Sequence, residues 1–224
     1  MDSKTIASYI DHTLLKAFAT PNDIEKLCKE ATENHFWSVC INPVFVKLAA
    51  EYFKKEQSSV KVCTVIGFPL GATSTAAKVH ETEVAIEDGA DEVDMVIPIG
   101  LMKAGDYDAV EQDIKSVADM CKQHNTLLKV IIETCYLNDE EIEKASHLTF
   151  KAGAQFVKTS TGFGTNGATV EAVKIMRRVA DQYNGKVKAA GGIRTYEDAM
   201  KMIEAGANRL GTSGGISIMK GCDA

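Results

Sequence analysis

The sequence predicts an α/β fold, a single-domain (β/α)8 (TIM) barrel of eight parallel strands that spans residues 1–224. The chain has 224 residues, within the range that such barrels occupy as one domain. Short apolar runs and longer amphipathic segments alternate along it, which is typical of a parallel sheet covered by helices. An open doubly wound sheet shares this alternation, but the loop after the first run reads LLKAFATPND and lacks the glycines of a dinucleotide-binding turn. A closed barrel is therefore favoured.

The predicted strands are short runs of apolar residues, each bounded by polar or glycine-containing segments. The first run is the weakest, but it fits the spacing of the others. In chain order the runs are YIDHT (9–13), WSVCIN (37–42), VKVCTVIGFP (60–69), DEVDMVIPIG (91–100), LLKVIIET (127–134), AQFVKTS (154–160), KVKAAGG (186–192) and NRLGTS (208–213).

The predicted helices lie between these strands and have recognisable ends. Thr20 before Pro21, Asn138 before three acidic residues, and Thr195 are typical N-terminal caps. Glycine permits the left-handed backbone that ends a helix, and a Gly-Ala pair recurs before three of the strands, at Gly89, Gly153 and Gly206. The helical segments are 21–33, 43–55, 75–88, 107–124, 139–152, 168–183 and 195–205.

The composition excludes several classes of function. The chain has a net charge of -6 and a pI near 5.4, which argues against a nucleic-acid surface but allows a small anionic ligand in a locally positive pocket. No apolar run is long enough to span a membrane, and the N-terminus lacks a secretory pattern, so we expect a cytosolic protein that binds neither nucleic acid nor membrane. The six cysteines form no CxxC pair, and reduced thiols are favoured.

Two lysines at the ends of neighbouring predicted strands are the most informative feature of the chain. Lys158 ends the sixth strand and Lys188 lies in the seventh. Most lone lysines are solvated surface groups, but a buried pair repels, and that repulsion lowers the pKa of one amine until it becomes a nucleophile. Asp94, on the inner face of the fourth strand, needs a cation or hydrogen bonds once it is buried. Its role is either structural or catalytic.

Other polar residues near the strand ends receive less specific interpretations. Lys129 and Glu133 on the fifth strand are expected to form a supporting ion pair. Cys40 is interpreted as a small core residue that is also a candidate for oxidation, and His12 as a structural histidine. No spacing of histidines, cysteines or carboxylates suggests a metal site.

Glycine-rich turns follow the seventh and eighth strands, where barrels often bind phosphate at the start of a short extra helix. They are Gly191-Gly192 and Ser213-Gly214-Gly215, and Arg194 would add positive charge. Each turn alone is a weak signal, because such glycines also occur in ordinary tight turns. Both together predict an anion site.

Six motifs in order closely resemble the deoxyribose-phosphate aldolase family along almost the full chain. They are DHTLL (11–15), VCINP (39–43), GADEVDMVI (89–97), LKVIIET (128–134), FVKTSTGF (156–163) and KAAGGIRT (188–195). The resemblance implies a class I aldolase that interconverts 2-deoxy-D-ribose 5-phosphate with D-glyceraldehyde 3-phosphate and acetaldehyde, in deoxyribonucleotide catabolism. It implies no cofactor and no metal, and assembly into a homodimer or homotetramer.

Matching these motifs assigns roles to single residues. Lys158 would form the Schiff base, Lys188 would lower its pKa, and Asp94 would transfer protons through a water. The resemblance also implies a phosphate site formed mostly by backbone N–H groups. Its residues would be Gly162, Gly191, Gly192, Gly211, Ser213 and Gly214.

The chain departs from the family pattern at three places. Phe163 replaces a lysine that some members carry, Pro98 replaces an asparagine, and the chain ends at MKGCDA without the tyrosine-bearing tail of longer members. Two other interpretations stay open at this stage. One is a different Schiff-base barrel aldolase, and the other is a catalytically silent barrel that binds a phosphorylated metabolite.

Overall fold

The computed structural model describes residues 1–222, so the last two residues of the MKGCDA segment lie outside it. Eight parallel strands form one closed barrel, in which each strand pairs with the next and β8 pairs with β1. The predicted fold class is therefore confirmed. The strands are β1 (Ile10–Leu14), β2 (Ser38–Ile41), β3 (Lys61–Ile66), β4 (Glu92–Val96), β5 (Leu127–Ile131), β6 (Phe156–Lys158), β7 (Lys186–Ala190) and β8 (Arg209–Thr212).

Helices surround the barrel, and most of them begin at a side chain that accepts a backbone N–H. Thr20, Asn138 and Thr195 cap their helices, as the sequence indicated, and each of these caps is also a reciprocal capping box. Within residues 1–222 the α-helices are α1 (Ser3–Ala7), α2 (Pro21–Glu33), α3 (Val46–Lys55), α4 (Thr75–Glu87), α5 (Ile99–Ala104), α6 (Tyr107–Gln123), α7 (Asp139–Lys151), α8 (Val170–Asp181), α9 (Tyr196–Glu204) and α10 (Gly215–Cys222), with short 3-10 helices at Pro43–Phe45 and Thr134–Tyr136.

Strand residues alternate between two environments. Outward side chains such as Val157 and Val187 are fully buried against the helices in the main apolar core. Inward side chains fill the barrel, and many of them are charged: Lys129 and Lys188 are also fully buried. The barrel interior is thus an ionic layer enclosed by an apolar one.

The fourth predicted strand was too long. DEVDMVIPIG was expected to be extended throughout, but β4 ends at Val96 and the IPIG part begins α5 after Pro98. Proline lacks the N–H that a continuing parallel ladder would need, and its fixed φ suits the start of a helix. Gly105, with φ of 76°, then ends this short helix.

Two elements at the chain ends were not among the predicted helices. α1 precedes β1 and packs against α10, which begins directly after the loop that follows β8. None of the helices within the described range combines the length and apolar character needed to cross a bilayer.

Candidate active site

The register of the barrel places the two predicted lysines side by side. Lys158 on β6 and Lys188 on β7 are direct partners across the two strands, and both side chains are buried. Their Nζ atoms donate to one oxygen, Oδ2 of Asp94, at 2.8 and 2.7 Å. The three residues proposed from the sequence as catalytic therefore meet inside the barrel.

Asp94 is surrounded by cations. Its other oxygen, Oδ1, accepts a hydrogen bond from Lys129 at 2.9 Å. Burial alone would raise the pKa of Asp94, but the charges of Lys129, Lys158 and Lys188 outweigh burial and hold the pKa well below its ordinary value. Asp94 is therefore an ionised carboxylate with both oxygens engaged.

Three further charged residues complete this layer. Asp11 lies 2.5 Å from Nζ of Lys188 and 2.9 Å from Arg209, and Arg209 also bonds Glu92 at 3.2 Å. With every group ionised, this set holds four cations and three carboxylates, so one positive charge is in excess. We call it the ionic cluster: Asp11, Glu92, Asp94, Lys129, Lys158, Lys188 and Arg209.

The cluster also sets the charge state of Lys188. Burial alone would lower its pKa, but the neighbouring carboxylates of Asp11 and Asp94 outweigh burial and raise the pKa above its ordinary value. Asp11 is shifted the other way: burial opposes ionisation, yet Lys188 and Arg209 lower its pKa. Lys188 is therefore an ammonium group beside Lys158.

Sequence reasoning missed Arg209 altogether. Its guanidinium lies 4.3 Å from the centre of the Trp37 ring and 5.3 Å from that of Phe156. Trp37 in turn donates from Nε1 to Glu92 at 2.8 Å. An arginine inside the apolar run NRLGTS, two residues before Gly211, was the available signal for an inward-facing cation.

The expected ion pair between Lys129 and Glu133 was wrong. Lys129 pairs with Asp94 and with Glu92, the latter at 2.5 Å. Glu133 follows the end of β5 with φ of 54°, in the left-handed region, and its carboxylate accepts instead from Thr161. Strand parity places both side chains on one face only while the strand continues, and Glu133 lies just beyond its end.

The cysteines and histidine near the strand ends have structural environments. Cys40 is fully buried, in agreement with a core position, and His12 bonds Glu30 on α2 at 2.8 Å. Sulfur and carboxylate atoms of Cys40, Cys63 and Asp94 lie close enough together to be metal ligands. However, the ammonium of Lys129 is already 3.3 Å from the Cys63 sulfur and 2.9 Å from Asp94. The ammonium group of Lys129 therefore occupies the place beside Cys63 and Asp94 that a metal ion would take.

A cavity of about 290 Å³ opens above the cluster at the carboxyl ends of the strands, and Lys158 lines it. This volume is near the lower end of the roughly 300–1,000 Å³ of small-molecule sites, so the cavity suits a compact ligand. Five of the six residues predicted to bind phosphate line it: Gly162, Gly191, Gly192, Gly211 and Ser213.

The sixth predicted phosphate ligand lies outside this lining. Gly214 donates its N–H to Oγ1 of Thr212 at 2.8 Å. By contrast, the backbone N–H groups of Gly162, Gly192 and Ser213 have no hydrogen-bond acceptor among residues 1–222. These three donors are free for a ligand.

The mouth of the cavity has a cationic and an apolar part. Lys16 and Arg194, both exposed, line it, and Lys16 had not been recognised from the sequence. Phe163 is 57% exposed and packs edge-on against Phe68, with ring centres 5.4 Å apart. The family lysine that Phe163 replaces is therefore absent, but positive charge reaches the mouth from two other loops.

Comparison with known proteins agrees with this geometry. Residues 5–221 match the family model described as DeoC/LacD family aldolase. The chain belongs to the DeoC/LacD family of aldolases. The deoxyribose-phosphate aldolase of Carboxydothermus hydrogenoformans is 61% identical over 223 residues, which cover 99% of this chain and 96% of that protein. That of Thermococcus gammatolerans is 60% identical over 216 residues, which cover 96% of each chain.

Solved structures extend the similarity to three dimensions. A deoxyribose phosphate aldolase from Aeropyrum pernix, described as a unique tetrameric structure, matches with a TM-score of 0.93 at 32% identity and covers 100% of this chain and 93% of that one. The aldolase QR15 matches with a TM-score of 0.90 at 44% identity, covering 96% and 94%. The family and the barrel are thus shown by independent comparisons.

Proposed function

We propose that this chain is a class I aldolase that cleaves 2-deoxy-D-ribose 5-phosphate reversibly to D-glyceraldehyde 3-phosphate and acetaldehyde. The observation that carries the proposal is the convergence of Lys158 and Lys188 on one oxygen of Asp94, beneath a cavity that Lys158 lines. The names of the close relatives support the same substrate.

The ionic cluster explains how Lys158 would become a nucleophile. The cluster carries one excess positive charge when every group is ionised, and Lys158 is its member that lines the cavity. Loss of one proton from Lys158 balances the charges, because Lys188 stays an ammonium group. Repulsion between neighbouring ammonium groups favours this loss.

In the proposed reaction, the free amine of Lys158 adds to the aldehyde carbon C1, and water leaves to form an iminium ion. Asp94, through a water, takes the proton from the C3 hydroxyl, and C3 becomes the aldehyde carbon of the phosphorylated product. The C2–C3 bond then breaks, and its electron pair moves into the iminium to give an enamine of acetaldehyde. D-glyceraldehyde 3-phosphate leaves, and protonation and hydrolysis of the enamine release acetaldehyde and restore the lysine.

The phosphate would bind at the rim, farther from Lys158. The free N–H groups of Gly162, Gly192 and Ser213 would donate to its oxygens, with Lys16 and Arg194 adding charge. Gly191 and Gly214 would shape these loops. Gly211 has an additional steric role, since a methyl group there would lie 3.1 Å from Cε of Lys188.

Borohydride trapping tests the reaction class. Incubation with deoxyribose 5-phosphate or acetaldehyde, followed by reduction and peptide mass analysis, should give an adduct on Lys158. We expect Lys158→Ala to abolish both the adduct and turnover. No adduct on Lys158 of the unmodified protein would refute the proposal. An adduct formed only with other carbonyl donors would indicate a different Schiff-base aldolase, and binding of deoxyribose 5-phosphate without reaction would indicate a silent barrel.

The role proposed for Lys188 has its own test. Lys188→Leu removes the ammonium group beside Lys158, so we expect imine formation to slow. We also expect the acid limb of the pH–rate profile for imine formation to move to higher pH. A pH–rate profile like that of the unmodified protein would contradict the pairing argument.

We also propose a cytosolic location, assembly into a homodimer or homotetramer, and catalysis without a cofactor. The tetramer described for the Aeropyrum pernix relative supports the assembly. Sedimentation or light scattering of the purified protein would determine its stoichiometry.

A further inference from the structure

Glu133 is a buried acid that the proposed reaction does not use. It is 2% exposed, and no lysine, arginine or histidine within residues 1–222 forms an ion pair with it. Its backbone also has φ of 54°, which is uncommon for a residue other than glycine, asparagine or aspartate. A buried, unpaired charge on a strained backbone is costly, so the surrounding structure must hold it in place.

The carboxylate of Glu133 is held mainly by one residue of the neighbouring loop, with a longer contact from the Cys135 thiol at 3.8 Å. The backbone N–H of Thr161 donates to its two oxygens at 3.2 and 3.3 Å, and the Thr161 hydroxyl makes a short hydrogen bond to one of them. Oγ1 of Thr161 then accepts the N–H of Phe163 at 3.0 Å. Glu133, Thr161 and Phe163 form a continuous chain of hydrogen bonds.

This chain encloses Gly162, whose N–H is left free. Gly162 has φ of 86° and lines the cavity. Because the N–H groups on either side of it are bonded within the protein, its own N–H has a fixed direction and no internal acceptor among the described residues. A donor of this kind is ready for an anion.

Packing further joins the loop to the end of β5. The N–H of Thr134 donates to the carbonyl of Thr159 at 2.9 Å. A methyl group on Gly164 would lie 2.6 Å from the Cys135 sulfur and 3.2 Å from Cδ of Glu133. The segment 161–164, which we call the 161–164 loop, therefore packs closely against Glu133 and Cys135.

We propose that Glu133 is a positioning residue that holds the 161–164 loop in the conformation that recognises the substrate phosphate. This inference rests on the proposed function and extends it to a residue outside the ionic cluster. A carboxylate near an anion site would repel the anion, but here both oxygens face the donors of Thr161. Glu133 acts on the phosphate only through the loop.

The test compares deoxyribose 5-phosphate with unphosphorylated 2-deoxyribose in steady-state cleavage. Loss of a hydrogen-bonded support costs on the order of 1.4 kcal/mol, so for Glu133→Leu we expect KM for the phosphorylated substrate to rise about tenfold, with kcat changing by less than about threefold. The preference in kcat/KM for the phosphorylated substrate should fall by about the same tenfold factor.

Two further variants separate positioning from general damage to the fold. Glu133→Gln keeps a carbonyl oxygen that can accept both bonds from Thr161, so it should retain KM within about threefold. Asn125→Leu is the matched control, because Asn125 has φ of 55° and is exposed in the turn before β5, away from the cavity. Its KM and substrate preference should not change.

An unchanged substrate preference in Glu133→Leu would overturn the inference, as would an equal loss with both substrates. If Glu133→Leu does not fold, Thr161→Val removes the hydroxyl link while keeping the backbone, and should show the same rise in KM. Failure of the proposed function is distinguishable, because the unmodified protein would then form no borohydride adduct on Lys158.

Discussion

Asp94 divides its two oxygens between different lysines. Oδ2 accepts from Lys158 and Lys188, whereas Oδ1 accepts from Lys129. Lys129 also contacts Glu92, so it links the reacting end of the cluster to the carboxylate paired with Arg209. The orientation of Asp94 toward the two catalytic candidates thus depends on a lysine that does not reach the cavity.

Lys129→Met tests this dependence. Among the surrounding charges, that of Lys129 lowers the pKa of Asp94 most, so its loss should raise this pKa. In this variant, once Lys158 is a free amine, the three carboxylates of the ionic cluster would be balanced by only two cations, Lys188 and Arg209. We therefore expect kcat to fall at least about tenfold and the acid limb of the pH–rate profile to move to higher pH.

The control for this prediction is the same substitution at an exposed lysine. Lys103 pairs with Glu141 at the surface, and Lys103→Met should leave the pH–rate profile unchanged. If Lys129→Met lowers stability but its pH–rate profile matches that of the unmodified protein, Lys129 is only a structural cation.

At the scale of whole elements, a second buried ion pair joins two helices to the end of β4. Lys78 on α4 is fully buried and donates to Asp113 on α6 at 2.7 Å and to the carbonyl of Val96 at 2.8 Å. Thr75 donates to the other oxygen of Asp113 at 2.7 Å. Since Val96 lies two residues after Asp94, this pair anchors the strand that carries the central carboxylate.

Removing one partner of this pair should be strongly destabilising. Lys78→Met leaves Asp113 buried with only a hydroxyl partner, and such changes cost about 3–5 kcal/mol. The double variant Lys78→Met/Asp113→Leu should lose less, because no charge is left unpaired. Urea unfolding measures both free energies.

An exposed pair on the same helix provides the comparison. Lys115 and Asp119 on α6 are half exposed, and Lys115→Met should change the free energy of unfolding by less than about 1 kcal/mol. Equal effects of Lys78→Met and Lys115→Met would contradict the anchoring role of the buried pair.

The elements that the sequence predicted well are those with local signals. Apolar runs marked all eight strands, and the caps at Thr20, Asn138 and Thr195 marked the starts of three helices. The errors lay where local patterns conflict. The apolar segment containing Ile97 and Ile99 suggested an extended strand, yet Pro98 permitted a turn into α5.

The site could be predicted only to the extent that it follows strand parity. Parity and strand order brought Lys158, Lys188 and Asp94 together correctly, because these residues lie within strands. Strand parity failed for Glu133, because its left-handed backbone ends the alternation of side chains. The sequence around a glutamate gives no clear signal of that backbone conformation. The contacts of Arg209 depend on closure of the barrel between β8 and β1, which a local pattern does not contain.

For the molecule as a whole, the ionic cluster links stability to pH. Burial opposes ionisation of Asp11 and Asp94, but the surrounding cations lower the pKa of both in the folded protein. Their contribution is therefore fully present above the unfolded pKa of about 3.9 and is lost as the pH falls toward the folded values. The raised pKa of Lys188 acts at the other extreme, where stability is lost as the pH rises above about 10.4.

The acid side gives a quantitative prediction. Between about pH 3.5 and pH 2.5, each of these carboxylates is mostly protonated in the unfolded chain but ionised in the fold, so each should lower the free energy of unfolding by about 1.2 kcal/mol per pH unit. Asp11→Asn should reduce the slope by that amount in urea titrations, whereas Asp119→Asn, a change at the exposed pair on α6, should not. If Asp11→Asn kept the slope of the unmodified protein, acid unfolding would have to arise from carboxylates outside the barrel interior.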